Sequence, residues 1–133
     1  VRLGVTVNGT RRRVDILLSD PRSGKYLVIE CKYQGTEGTA YEKIDYALKD
    51  LEACPFPGLL VYAGSGLPSG IRSRLRSHPN AVYANPPQTL TPSYSGVGDV
   101  DNGTWQLDDY IAIHFGLFDA FAGDQINLFE RLS

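Results

Sequence analysis

The first third of the chain is patterned in twos. Over residues 12–18, Val14, Ile16 and Leu18 are interleaved with Arg13, Asp15 and Leu17. Over 26–34, Leu27, Ile29, Cys31 and Tyr33 are interleaved with Val28, Glu30, Lys32 and Gln34. A period of two puts successive side chains on opposite faces of a strand, so both segments are predicted as strands. A further strand over 3–7 leads into them through Asn8-Gly9, a dipeptide that favours the positive φ angles of a tight hairpin. The loop 19–24, with Pro21 and Gly24, returns the chain and completes an antiparallel meander. Beyond the glycine-rich link 35–38 the period lengthens. Thr39 and Glu42 form a capping box, and Ile44, Ala47, Leu48 and Leu51 recur at helical spacing, which predicts a helix over 40–53 stopped by Pro55 and Pro57. The apolar run 59–63 reads as a short buried strand, placed parallel to the third by a β-α-β crossover. Ser69 is positioned to cap a second helix, with Ile71 and Leu75 inward and Arg72, Arg74 and Arg76 around its rim, and 81–84 is a fifth strand. The predicted fold is α/β: a central mixed five-stranded sheet, an antiparallel meander followed by a β-α-β crossover, flanked by helices.

The chain has 133 residues, which suits one compact domain. Its parts read as a core over 1–84, an irregular connection over 85–103, and an aromatic, acidic helical segment over 104–133. That last segment, with helices over 107–118 and 125–132, is expected to pack on the core or on a second subunit. A 42% hydrophobic and 21% charged composition is that of an ordinary globular protein. No apolar run nears the roughly 20 residues of a membrane span. Without a leader pattern, and with Cys31 and Cys54 in unlike contexts, the expected setting is intracellular, reduced and cytoplasmic. The start without Met leads us to expect an upstream element. Charge is uneven: twelve of the 13 Lys and Arg precede residue 96, and seven of the 15 Asp and Glu follow it. A basic front draws polyanions, although plain solvation produces the same pattern.

Aligning the apolar faces of the second and third strands admits a register that sets Asp15 opposite Glu30, Val14 opposite Cys31, Ile16 opposite Ile29 and Leu18 opposite Leu27. Opposed Cβ atoms lie roughly 4.5–5.5 Å apart, so the carboxylates should converge. Two such anions at about 5 Å repel by about 3 kcal/mol at an effective dielectric near 20. A divalent cation removes that cost. Oxygen donors with no His or Cys side chain beside them favour Mg²⁺ or Mn²⁺, which bind phosphate oxygens and acidify a water. Lys32, on the same face, would orient that water or stabilise transition-state charge. The same three residues on a solvent face would instead form ion pairs worth at most about 1 kcal/mol each.

With Val14-Asp15, then Glu30-Cys31-Lys32, after a meander and before a crossover, the chain resembles the PD-(D/E)XK nuclease superfamily, the fold of type II restriction endonucleases, over residues 3–84. The resemblance implies catalytic roles for Asp15, Glu30 and Lys32. Asp15, Glu30 and the main-chain carbonyl of Cys31 would ligate Mg²⁺, and Lys32 would serve the attacking water. It implies auxiliary roles for Gln34 and Lys43, and DNA as partner; a homodimer, with the aromatic acidic tail packed against its mate, is the expected assembly and would bring two sites to two strands. Two departures stand beside it: Val14 replaces the motif's proline, and the acid-bearing helix that commonly precedes the first strand is either upstream or replaced, with Glu130 one candidate donor. The implied activity is a metal-dependent endonuclease acting on DNA. The alternative is a catalytically inactive nuclease-fold module that binds DNA or protein. At the hairpin, Arg12 and Arg13, with Arg11, are candidates for phosphate contacts or for a solvated tip; His78 and His114 lack metal-ligand spacing and read as structural.

Overall fold

The computed structural model describes residues 2–6, 8–35, 40–85 and 103–117. Strands β1 (Arg2–Val5) and β2 (Arg11–Arg13) pair antiparallel as a separate two-stranded sheet. Strands β3 (Ile16–Asp20), β4 (Lys25–Tyr33), β5 (Gly58–Ala63) and β6 (Ala81–Tyr83) form a four-stranded sheet in that order. The β3–β4 pair is antiparallel, and β4–β5 and β5–β6 are parallel, so the sheet is mixed. Helices α1 (Ala40–Ala53), α2 (Ser69–Ser77) and α3 (Trp105–Phe115) flank it. The tail helix expected over 125–132 and most of the irregular connection lie outside the described residues.

The expected second strand is in fact two, and the sheet has four strands rather than five. The cause lies at Val14-Asp15. Arg12 and Val14 are both buried, Val14 against the cluster beneath α1. Beyond the break Leu17 packs on that cluster, whereas Leu18 packs on the opposite one with Leu27 and Ile29. The in–out alternation therefore slips by one residue between Val14 and Leu17, which no continuous strand can do. Val14 and Leu18, expected on one face, lie on opposite faces. The loop between β1 and β2 is also wider than a two-residue turn. Thr6 donates its N–H to the Thr10 carbonyl at 2.7 Å, Gly9 donates to the Thr6 carbonyl at 3.0 Å, and Gly9 takes a φ of 79°.

Both faces of the main sheet are covered. On one, Val28, Leu60 and Tyr62 meet Ile44, Leu48 and Leu51 of α1 and Ile71 and Leu75 of α2. On the other, Leu27, Ile29 and Leu59 meet Phe115 of α3. Leu27, Leu59, Leu60, Leu75 and Val28 are fully buried, each contributing roughly 1.5–3 kcal/mol of transfer free energy. Gly58 lets α1 approach, because a Cβ there would come 2.9 Å from Leu51 Cδ2. Helix α2 begins at Ser69 itself: Pro68 is its N-cap, and no side chain caps it. Ser69 is thus a first-turn residue rather than the cap expected of it. At its far end α3 is tied to the start of β4, where His114 Nε2 lies 2.8 Å from the Tyr26 carbonyl and Lys25 Nζ donates to the His114 carbonyl at 3.2 Å.

Candidate active site

The break that ends β2 delivers Asp15 to the edge of β4. The ladder between β3 and β4 has the expected register, with Ile16 opposite Ile29 and Leu18 opposite Leu27, and its outermost pair on this side is Ile16–Ile29. Asp15 stands one residue beyond, in a bend, and its side chain takes over from the ladder: the Cys31 N–H donates to Asp15 Oδ2 at 2.8 Å. The carboxylate thus replaces the carbonyl that a continuing strand would have offered. In a strand the N–H and C=O of one residue point to the same edge, so the Cys31 carbonyl shares the Asp15 edge. The expected direct Asp15–Glu30 pair is in this way converted into two carboxylates flanking Cys31.

The electrostatics agree with that placement. The Cys31 thiol is pushed above its ordinary value, first by partial burial and then by the negative fields of Asp15 and Glu30, against the lowering effect of Lys32. It therefore stays a neutral thiol near pH 7, and what Cys31 offers a hard cation is its carbonyl oxygen. The faces of β4 at this end also differ from expectation. Cys31 and Tyr33 were grouped with Leu27 and Ile29 on an apolar face, yet both are exposed, Tyr33 to 76%, because the apolar cover ends at Ile29.

Glu30 and Lys32 share the α1 side of β4. Lys32 Nζ donates to Glu30 Oε1 at 2.6 Å, and both side chains are partly exposed. They line a cleft of about 350 Å³ between the β1–β2 hairpin and α1, whose other charged walls are Arg13, Glu42, Lys43 and Asp50. Of the auxiliary candidates, Lys43 and Arg13 are brought to this cleft. Gln34 is not among its walls: its N–H donates to the Ala63 carbonyl at 3.0 Å, and its own carbonyl accepts from the Gly66 N–H at 2.8 Å. Arg12, a candidate for phosphate contact, is 2% exposed, and its guanidinium forms a two-point pair with Asp50 at 3.0 and 3.1 Å. Its charge is spent holding the hairpin to α1, which corrects the surface role given to it. Arg11 and Arg13 are the exposed arginines of β2.

Glu42, expected only as part of a helix cap, and Tyr46, open from the sequence to stacking on bases or covering the sheet, also line the cleft. A signal exists for Tyr46, though not for Glu42: positions 43, 46 and 50 form an i, i+3, i+7 stripe beside the apolar stripe of α1. Among the described residues, no three His, Cys, Asp or Glu side chains are grouped to hold a metal ion. Asp15 and Cys31 are not among the walls of the cleft that Glu30 and Lys32 line; carboxylate and main-chain carbonyl oxygens are nonetheless the donor type a hard divalent cation takes.

No curated protein and no solved structure matches the chain significantly. Residues 1–118 match the family profile of the PD-(D/E)XK nuclease superfamily domain, and that span contains Asp15, Glu30 and Lys32 at the end of β4. With the family profile covering all but the last residues and the mixed sheet it calls for in place, the chain belongs to the PD-(D/E)XK nuclease superfamily.

Proposed function

We propose that the chain is a Mg²⁺- or Mn²⁺-dependent endonuclease that hydrolyses DNA phosphodiester bonds with metal-activated water. The arrangement that supports this reading is at the end of β4: Asp15 accepts from the Cys31 N–H, and Glu30 is held by Lys32 in a cleft walled by Arg13 and Lys43. Asp15, Glu30 and the Cys31 carbonyl would hold the cation, which when bound acidifies a water and polarises a phosphate oxygen. Lys32 neutralises Glu30 until then. Once Glu30 is engaged elsewhere, the Lys32 ammonium is free to hydrogen-bond the attacking water and to offset negative charge on the phosphate in the transition state. Arg13 and Lys43 are placed to hold neighbouring phosphates.

The acidic α3 region, with Trp105 and Ile113 exposed, is the surface through which we propose that two copies pair. The free cysteines fit a reducing, cytoplasmic setting. Among the described residues no helix is long and apolar enough to cross a membrane.

Plasmid DNA incubated with the protein and Mg²⁺ should be nicked or linearised, and EDTA should stop it. Lys32→Ala should slow cleavage by about 10²–10³-fold, the usual cost of one transition-state donor, and Asp15→Asn should abolish metal-dependent cleavage. Plasmid left equally intact by wild type and both variants refutes the enzymatic reading; retained DNA binding in that case identifies the inactive binding module instead.

A further inference from the structure

A second concavity, of about 310 Å³, opens at the C-terminal ends of the three parallel strands, outside the Asp15–Glu30–Lys32 constellation. Its walls include Tyr33, Tyr62, Tyr83, Arg72, Arg76 and Asn85. Three aromatic rings beside two guanidinium groups form a chemically narrow combination. Rings offer π-faces to any nucleobase, and guanidinium groups match phosphate oxygens in planar, two-point fashion. Strand ends in parallel sheets are also where ligands commonly settle.

Register ties this pocket to the cleft. Lys32 pairs with Tyr62 in the β4–β5 ladder, and Tyr62 with Tyr83 in the β5–β6 ladder. The three therefore form one row across the sheet, and Tyr83 stands two strand spacings, roughly 10 Å, from Lys32. Tyr62 is only 3% exposed within this row, so a polynucleotide chain leaving Lys32 would reach the pocket past the exposed Tyr33 at the open ends of the strands.

The walls are held in place before any ligand arrives. Tyr62 and Tyr83 pack edge to face, with centroids 5.6 Å apart at 71°. The exposed Tyr33 ring lies over Gly35, where a Cβ would come within 3.1 Å of Tyr33 Cε1. Arg72 donates from Nε to the Leu67 carbonyl at 3.0 Å and from Nη2 to the Ser65 carbonyl at 2.9 Å, which fixes its guanidinium plane at the pocket wall. Arg76 follows one turn later on the same side of α2. Aromatic and cationic groups fixed in this way lose little freedom on binding.

We propose that this pocket is a nucleotide subsite that seats one unpaired base of a nucleic-acid strand against Tyr33 and Tyr83, with its phosphate against Arg72 and Arg76. The proposal rests on the nuclease reading for its substrate class, and it adds a requirement for local single-strandedness beside the scissile bond. A base within a duplex keeps its faces stacked on its neighbours and cannot present one to Tyr33 or Tyr83.

The test uses the whole chain in EDTA, so that binding is read without turnover. Fluorescein-labelled oligothymidylate is followed by anisotropy, with the same sequence annealed to its complement and free thymidine monophosphate as competitors. A parallel oligonucleotide carrying 5-iododeoxyuridine is photocross-linked and the attached peptide sequenced. Expected are cross-links at Tyr33 or Tyr83, a preference for the single strand over the duplex, and a roughly 5- to 150-fold loss of affinity in Tyr33→Ala, the range of one lost base stack. Arg76→Ala should lower the slope of log affinity against log salt by about one. Because Tyr33 is a surface residue, its variant reports binding rather than folding, and a melting curve confirms this. Cross-links mapping elsewhere, unchanged binding in both variants, or equal affinity for single strand and duplex overturns the subsite. Thymidine monophosphate that competes as well as the oligonucleotide assigns the pocket to free nucleotides and overturns the strand path. Cleavage in Mg²⁺ with unchanged Tyr33→Ala binding refutes the subsite and leaves the nuclease standing; cross-links at Tyr33 without cleavage do the reverse.

Discussion

Two ion pairs lie on the same side of the sheet and share the same chemistry, yet their surroundings assign them opposite work. Arg12 and Asp50 meet through two contacts, with side-chain exposures of 3% and 15%. Lys32 and Glu30 meet through one contact of 2.6 Å, with exposures of 34% and 20%. The guanidinium of Arg12 is held above its ordinary pKa, chiefly by its hydrogen bond to Asp50, so it is charged whenever the protein is folded. Buried charges must stay together, whereas half-exposed ones can exchange partners for water or a cation at small cost. The first pair is a fastening and the second a switchable contact.

The largest expected effect comes from orphaning the buried cation. Asp50→Ala should lower stability in urea by about 3–5 kcal/mol, the usual cost of breaking a buried pair from one side. The double variant Arg12→Met with Asp50→Leu should recover most of that loss, because apolar groups of similar size replace both charges. A midpoint unchanged in Asp50→Ala would erase the contrast between the pairs. Next in size, Lys32→Met should move the urea midpoint by no more than about 1 kcal/mol, as expected of a half-exposed pair, even though the same position carries the proposed chemistry. A stability loss as large as that of Asp50→Ala would make Lys32 a structural residue.

The smallest effect concerns Asp45, which receives hydrogen bonds from Lys49 and Arg74 and so stitches α1 to α2. Its carboxyl is held below the ordinary 3.8, first by Lys49 and then by Arg74. A depressed carboxylate stabilises the fold above the unfolded pKa, and that contribution is lost as pH falls through the lowered value. The melting temperature of wild type should therefore exceed that of Arg74→Ala near pH 7, and the difference should shrink on acidification below about pH 4. A difference that grows in acid would contradict this origin.

Much of this arrangement is legible in the residues. Helix α1 was predicted over 40–53 and spans Ala40–Ala53, because its apolar spacing and its proline stop both act locally. The 25–29 half of the β3–β4 register was readable from pattern matching, since one apolar face suffices to fix it. What pattern could not reveal is the slip after Val14. It depends on Arg12 finding Asp50 some forty positions later, and nothing near Arg12 distinguishes it from Arg11 or Arg13. Two-sided burial was equally hidden. Val28 sits among residues read as polar, and only the packing of α1 against it marks its face as core. For the site, Glu30 and Lys32 were visible as a spaced motif, while the bond from Cys31 to Asp15 appears only once the strand has broken.

Gly64 gives the molecule a fixed point of another kind. Its φ is 106°, and a Cβ there would come 2.1 Å from the Gln34 carbonyl oxygen, so position 64 has an alphabet of one letter. Drift at this position is barred from two directions, by backbone strain and by collision with main chain that cannot step aside. Main chain alone therefore fixes the end of β4 against the turn that follows β5, whatever side chains the nearby walls carry.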